Sequence, residues 1–360
     1  MVAKGPKTMR AAVVTGFGQP VEIQEDFAVP DLKPWEVLVK IEYSGVCFTD
    51  LHTTRGDWVA KPLLPVVIGH EGTGTIFALG ETAQAKNSMT VGDPVGISWV
   101  HGACGHCDAC LSGWESVCAR LEPVGFSRNG CHAEYVAVDA QHVIKIPSHM
   151  SLAHAAPVMC AGVTAYKGLK LSRVRPGQWV VIFGAGGGIG HLAVQYARAM
   201  GMKVCAVDQG RDRIQDLMDV KDERRRPHVA IDSYLESNLI NKLKTVCHPE
   251  GPHGALVVAP NLETYGTALS TIRPRGVVVA LSIPPGGSLP INPADLVLHS
   301  KTIVGSVTGS RLDLIEALRF ANEGKVVCKI AERSLDDLND AFDDIEAHEV
   351  TGCIVLRIAD

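Results

Sequence analysis

Four cysteines, Cys104, Cys107, Cys110 and Cys118, follow the pattern C-x2-C-x2-C-x7-C. Thiolates at two-residue gaps let one tight loop point its sulfurs inward, and four of them close a tetrahedron around Zn²⁺ with no position left open. That chemistry is structural rather than catalytic. A second set, Cys47, His70 and Cys160, is scattered along the chain. Two thiolates and one imidazole are a recognised catalytic zinc set, because a fourth position stays free for water or substrate. The third candidate is the loop Gly184-Ala185-Gly186-Gly187-Gly188-Ile189-Gly190, of form G-x-x-G-G-x-G. Gly184, Gly187, Gly188 and Gly190, with Ile189 among them, predict a tight turn whose backbone approaches a pyrophosphate at a helix N-terminus. Asp208, 18 residues past Gly190, closes the next strand. A carboxylate there accepts from ribose hydroxyls and repels a 2′-phosphate, which favours NAD over NADP; Arg211 and Arg213, just beyond, soften that preference.

These groups need elements to carry them. Up to residue 150, short β-branched runs such as MRAAVVTG, EVLVKIEYSG and HAEYVAVDA alternate with glycine and proline. This predicts an antiparallel, barrel-like β domain. SLAHAAPVMCAGVTAYKGLKL then predicts one helix over 152–171. From QWVVIFG onward the rhythm becomes strand, glycine turn, helix, with further strands at KVCAVD, HVAID, GALVVAP, GVVVALS and KTIVGSV. Continuous apolar strands separated by helices imply α/β architecture, a Rossmann doubly wound parallel sheet. Near the end, Leu335, Leu338, Ala341, Phe342 and Ile345 share one helical face behind a Ser334–Asp337 capping box, and IVLRI returns as a strand to the β domain.

Length and composition set the outer bounds. The chain has 360 residues, 46% hydrophobic and 20% charged, which suits two globular domains. A net charge of −5 argues against a dedicated nucleic-acid binder, and the charged run at 221–226 reads as an exposed loop or helix end. No stretch is apolar for the roughly 20 residues a bilayer span needs. The first residues lack the pattern of a secretory signal, so a cytoplasmic location is expected, where eleven cysteines serve metal or core rather than disulfides.

With CFTDLH, GHEG, the cysteine lobe, CAGVTAYK, GAGGGIG and AVD in view, the chain resembles the zinc-dependent medium-chain alcohol dehydrogenases, nearest the microbial tetrameric branch, from about residue 8 onward. The resemblance implies a GroES-like β-barrel catalytic domain over 1–161, an NAD-binding Rossmann domain over 162–308 and a C-terminal return over 309–360. It implies two zinc ions per subunit: a catalytic one on Cys47, His70 and Cys160 with Glu71 as a transient ligand, and a structural one on the four-cysteine lobe. Asp50 would fix the His70 tautomer. Thr49 and His52 would relay the alcohol proton, Trp58 and Trp99 would line the substrate pocket, and Thr164 would pack against the nicotinamide. The implied reaction is reversible hydride transfer between an alcohol, held as its alkoxide on zinc, and NAD, giving aldehyde or ketone. A homo-oligomer, tetramer or dimer, is implied, with a small alcohol or aldehyde as partner and neither nucleic acid nor membrane.

Two positions depart from that pattern. Phe48 and Cys353 stand where the family commonly carries basic residues for the cofactor pyrophosphate, which implies weaker cofactor binding. They keep open a specialised biosynthetic reductase, or a non-redox zinc isomerase, acting on one intermediate. A non-catalytic zinc-stabilised module is the reading of another class; it predicts decay of the relay and ligand residues, all of which are present.

Overall fold

The computed structural model describes residues 5–86, 88–284, 288–289 and 291–359. The chain divides into two compact units. One comprises 1–160, 310–318 and 328–360; the other comprises 161–309 and 319–327.

In the first unit, the strand Glu36–Val46 is buried along most of its length because it is paired on both edges. Gly72–Leu79 runs antiparallel on one side; Tyr135–Asp139 covers the first half of the other side and Cys353–Arg357 the second half. Thus the C-terminal strand returns to the β unit, with Ile354 opposite Val46. Pro94–Ile97 and Ile144–Lys145 extend the sheet at one edge and Ile330–Ser334 at the other. A second sheet joins Glu22–Ala28, Thr8–Val14 and Val66–Val67. Val37, Val39, Ile41, Ile68, Ile76 and Ile97 pack together at the core. Burying each such side chain stabilises by roughly 1.5–3 kcal/mol. Gly74 lets two strands close up: a Cβ there would stand 1.9 Å from the Lys40 carbonyl oxygen.

The capping box at Ser334 and Asp337 forms, with the Asp337 carboxylate accepting from the Ser334 N–H at 2.9 Å. Leu335, Leu338, Ala341, Phe342 and Ile345 are buried in the same core.

The stretch predicted as one helix over 152–171 is broken. Leu152–Ala155 is α-helical, Ala156–Met159 is a 3-10 turn, and Ala161–Leu171 is helical again. Pro157 explains this: it has no N–H to donate, and its ring crowds the carbonyl four residues before it. Cys160, at φ −126° and ψ −74°, lies outside both helices. Its direction is therefore not bound to a helical spacing.

The second unit holds a six-stranded, all-parallel sheet among the described residues. Its order is Val229–Asp232, Lys203–Asp208, Trp179–Phe183, Gly254–Val257, Val277–Ala280, Thr302–Gly305. Numbered along the chain this is 3-2-1-4-5-6, the doubly wound order whose switch point falls at the first strand. Val180, Val181 and Ile182 are fully buried, as both faces of such a strand must be. The charged run at 221–226 is a short 3-10 turn, Glu223–Arg225, with no buried residue. No helix among the described residues is long and apolar enough to cross a membrane.

Candidate active site and metal centres

Cys47 caps the helix Phe48–Arg55. Its sulfur accepts from the Asp50 N–H, and Asp50 Oδ2 accepts from the Cys47 N–H at 3.2 Å. This reciprocal box aims two side chains from one helix start. Asp50 Oδ1 accepts from His70 Nδ1 at 2.8 Å, and both side chains are only 2% exposed. With its proton on Nδ1, His70 presents the Nε2 lone pair to Cys160, whose sulfur is 3.1 Å away. The ligand atoms of Cys47, His70, Glu71 and Cys160 all lie within 4.8 Å of one another. Gly45 makes room for Glu71: a Cβ there would be 2.5 Å from the carboxyl carbon.

The electrostatics of this cluster follow from burial and proximity. A hydrogen bond from Cys160, with help from His70, holds the Cys47 thiol well below its ordinary value, and the same bond raises Cys160. Burial, then the negative Cys47, pushes Glu71 well above the carboxylate range. Burial opposes charge on His70 and on Asp50, yet each is the other's strongest partner; His70 is raised and Asp50 lowered. Two sulfurs, an imidazole nitrogen and a carboxyl oxygen crowd one buried space, where thiolates and a carboxylate would repel one another. A divalent cation between them relieves that repulsion, and this soft donor set is one zinc accepts.

The four-cysteine lobe is a second centre. Its sulfurs lie within 4.8 Å of one another, with Cys104 to Cys110 at 3.9 Å and Cys107 to Cys118 at 3.8 Å. Backbone N–H groups of Cys107 and Arg120 donate to the Cys104 and Cys118 sulfurs, each at 3.3 Å. Donors aimed at sulfur favour thiolate: backbone donors lower Cys104 to about 5 and lower Cys118 as well, while burial raises Cys110 to about 12. Four sulfurs with no open position fit a structural zinc.

Other residues singled out in the sequence lie as follows. Thr49 and His52 sit three apart on the same helix, so they share a face. His52 Nδ1 is 2.9 Å from Asp57 Oδ2, and its ring meets Trp58 edge-on at 5.8 Å. Trp58 Nε1 donates to Thr53 Oγ1 at 3.2 Å. Trp99 stands edge-on to His70 at 5.4 Å and leans on Phe126. Phe48, 38% exposed, lies 5.7 Å from the His348 ring. Cys353 is near enough to Glu71 to raise it.

In the second unit the glycine loop joins Trp179–Phe183 to the helix Gly188–Ala199. Gly184 needs its positive φ of 82°, and a Cβ at Gly190 would stand 2.0 Å from the Gly184 carbonyl oxygen. Gly187 is the N-cap, so the loop delivers the chain to a helix N-terminus at residues 188–190. Asp208 Oδ2 accepts from the Gly186 N–H at 2.6 Å, and Arg213 Nη1 is 3.7 Å from Oδ1. The carboxylate thus braces the loop, a task its position in sequence does not reveal. Thr164 is buried on the helix Ala161–Leu171.

His132 carried no sequence signal. It sits in no spaced motif, yet its Nε2 lies 4.0 Å from Asp50 Oδ2.

A GroES-like β unit with two cation-ready sulfur clusters, together with a doubly wound unit carrying a glycine loop after its first strand, defines a zinc-dependent nicotinamide dehydrogenase. Comparison with known proteins agrees. The profile described as alcohol dehydrogenase GroES-like domain matches residues 33–148, and that described as zinc-binding dehydrogenase matches 188–323. An alcohol dehydrogenase of Geobacillus stearothermophilus is 41% identical over 97% of this chain and 100% of its own. One from Moraxella sp. strain TAE123 is 42% identical over 97% and 99%. The crystal structure of the Aeropyrum pernix alcohol dehydrogenase superposes with a TM-score of 0.85 at 29% identity, over 97% of this chain and 99% of that one. The chain belongs to the zinc-dependent alcohol dehydrogenase family, an oxidoreductase that acts on small alcohols with zinc and a nicotinamide cofactor.

Proposed function

We propose that the protein carries out reversible hydride transfer between an alcohol and NAD, giving aldehyde or ketone, with Cys47, His70 and Cys160 holding a catalytic zinc. The observation that carries this is the convergence of those three donors and Glu71 within 4.8 Å, with His70 oriented by a buried carboxylate. When bound, zinc supplies a Lewis acid that acidifies an alcohol or polarises a carbonyl, and the cofactor accepts or donates hydride.

The chain's own residues do the rest. Asp50 keeps the His70 proton on Nδ1, so that Nε2 is free to bind metal. Glu71, whose ligand atom lies among the same donors, is an alternative fourth donor. Thr49 and His52, three apart on one helix, are the proton relay. Trp58 and Trp99 narrow the substrate space with two indoles. The amides at Gly187, Gly188 and Ile189 receive the pyrophosphate at a helix N-terminus, with Gly184 and Gly190 shaping the turn. Asp208, buried and negative, favours NAD over NADP, and Thr164 packs on the nicotinamide. Residues 1–161 and 309–360 serve catalysis, and 162–308 the cofactor.

A second zinc on Cys104, Cys107, Cys110 and Cys118 makes two per subunit. A homo-oligomer, tetramer or dimer, rests on family resemblance.

The test is a panel of primary, secondary and aromatic alcohols and their carbonyl products, run with NAD and with NADP. NADH formation that is lost on chelation and restored by zinc is the expected result. No turnover by fully metallated protein with cofactor bound would favour the non-redox isomerase instead.

A further inference from the structure

Behind Asp50 lies a second buried imidazole. Ser44 and His132 are fully sealed from solvent, and Asp50 is 2% exposed. His132 Nδ1 is 2.9 Å from Ser44 Oγ. Its other nitrogen, Nε2, is buried without a hydrogen-bond partner among the described residues and faces Asp50 Oδ2 at 4.0 Å.

The ring is held there by backbone on both sides. The His132 N–H donates to the Ile68 carbonyl at 2.9 Å, and its own carbonyl accepts from the Ala12 N–H at 2.8 Å. Gly69, at φ +96°, leaves the space the ring fills: a Cβ there would be 2.5 Å from Nδ1. Glycine at 69 is thus demanded twice, by its conformation and by His132.

Burial favours the neutral ring, pushed down to about 4, which carries one N–H and one lone pair. A proton on Nδ1 would turn the Nε2 lone pair toward a carboxylate, which is repulsive. A proton on Nε2 turns a dipole toward that carboxylate, while the Ser44 hydroxyl donates to Nδ1. At 4.0 Å this is a charge–dipole contact rather than a hydrogen bond. At a site so fully buried, even such a contact matters.

We propose that His132 is a positioning residue: its Nε2–H, set by Ser44, steadies Asp50 as the oriented acceptor of His70, and through Asp50 strengthens the hold of His70 on the metal. The inference rests on the reading of His70 as a zinc ligand. A chain Ser44, His132, Asp50, His70 then extends two residues beyond the carboxylate that fixes a ligand histidine.

Two readouts besides turnover test it on the zinc-loaded protein. In protein labelled with ¹⁵N-histidine, the ring shifts of His132 should report the Nε2–H tautomer; an Nδ1–H tautomer overturns the proposal. Zinc release to a chromogenic chelator should be about tenfold faster in His132→Phe, which keeps a ring and removes the donor. His132→Gln, which retains an N–H near the Nε2 position, should restore release to within about threefold of the parent, a rescue that loss of packing would not give. Ser44→Ala should also speed release, and it serves should the Phe variant not fold. Release at the parental rate in Phe and Ala variants overturns the inference. His70→Ala separates the two layers. Loss of one zinc, beside an unaltered His132→Phe, overturns only the role of His132. Full zinc content in His70→Ala overturns the ligand reading and this inference together.

Discussion

His70 and Asp50, twenty residues apart, meet at 2.8 Å in a place neither shares with solvent. Asp50 is also held by the Cys47 N–H, so one carboxylate ties the helix start to the imidazole. Asp50→Asn keeps an acceptor but removes the charge. Zinc affinity or kcat should fall about 10–100-fold, as for other partners of metal-bound histidines. Chelator competition and steady-state rates measure this; a variant that retains both would refute the role of Asp50.

The cysteine lobe makes a separable prediction. Metal analysis of the parent should find two zinc ions per chain, and Cys107→Ser one. Since a structural zinc contributes to folding directly, the variant should also melt at lower temperature. Two zinc ions retained in the variant would count against the lobe as a site.

Asp208→Asn should shift cofactor choice. The amide oxygen still accepts from the Gly186 N–H, so the loop is preserved, while the negative charge opposing a 2′-phosphate is lost. The ratio of kcat/KM for NAD to that for NADP should drop about tenfold, the equivalent of about 1.4 kcal/mol. An unchanged ratio would mean that Asp208 only braces the loop.

Phe48 bears on how tightly cofactor is held. A charge-assisted hydrogen bond contributes roughly 1.5–3 kcal/mol, so Phe48→His should bind NADH about tenfold more tightly or better in a fluorescence titration. Phe48 is partly exposed, so the substitution disturbs little core packing. Equal or weaker binding by the variant removes this explanation for the departure at Phe48.

Local chemistry was readable before any fold. The cysteine spacing, the glycine loop and the Ser334 capping box each act across a few residues, so their geometry is written in their spacing. The doubly wound parallel class also followed from repeated strand and helix periods, though the strand order did not. The helix over 152–171 was misread because apolar periodicity ran through Pro157, and a missing N–H outweighs pattern. That error matters, since the break frees Cys160 from helical spacing. The bracing of the glycine loop by Asp208 was hidden as well, because the residues are twenty-two apart.

By itself, then, the sequence determined the donor types, the four-cysteine set and the succession of elements along the chain, since these depend on residue chemistry and short-range spacing. Only the tertiary structure decided which donors converge. Cys160 reaches His70 across ninety residues, and His132 comes to lie behind Asp50. Such contacts arise from strand pairing and from glycines that let backbones close up, and no periodicity along the chain records them.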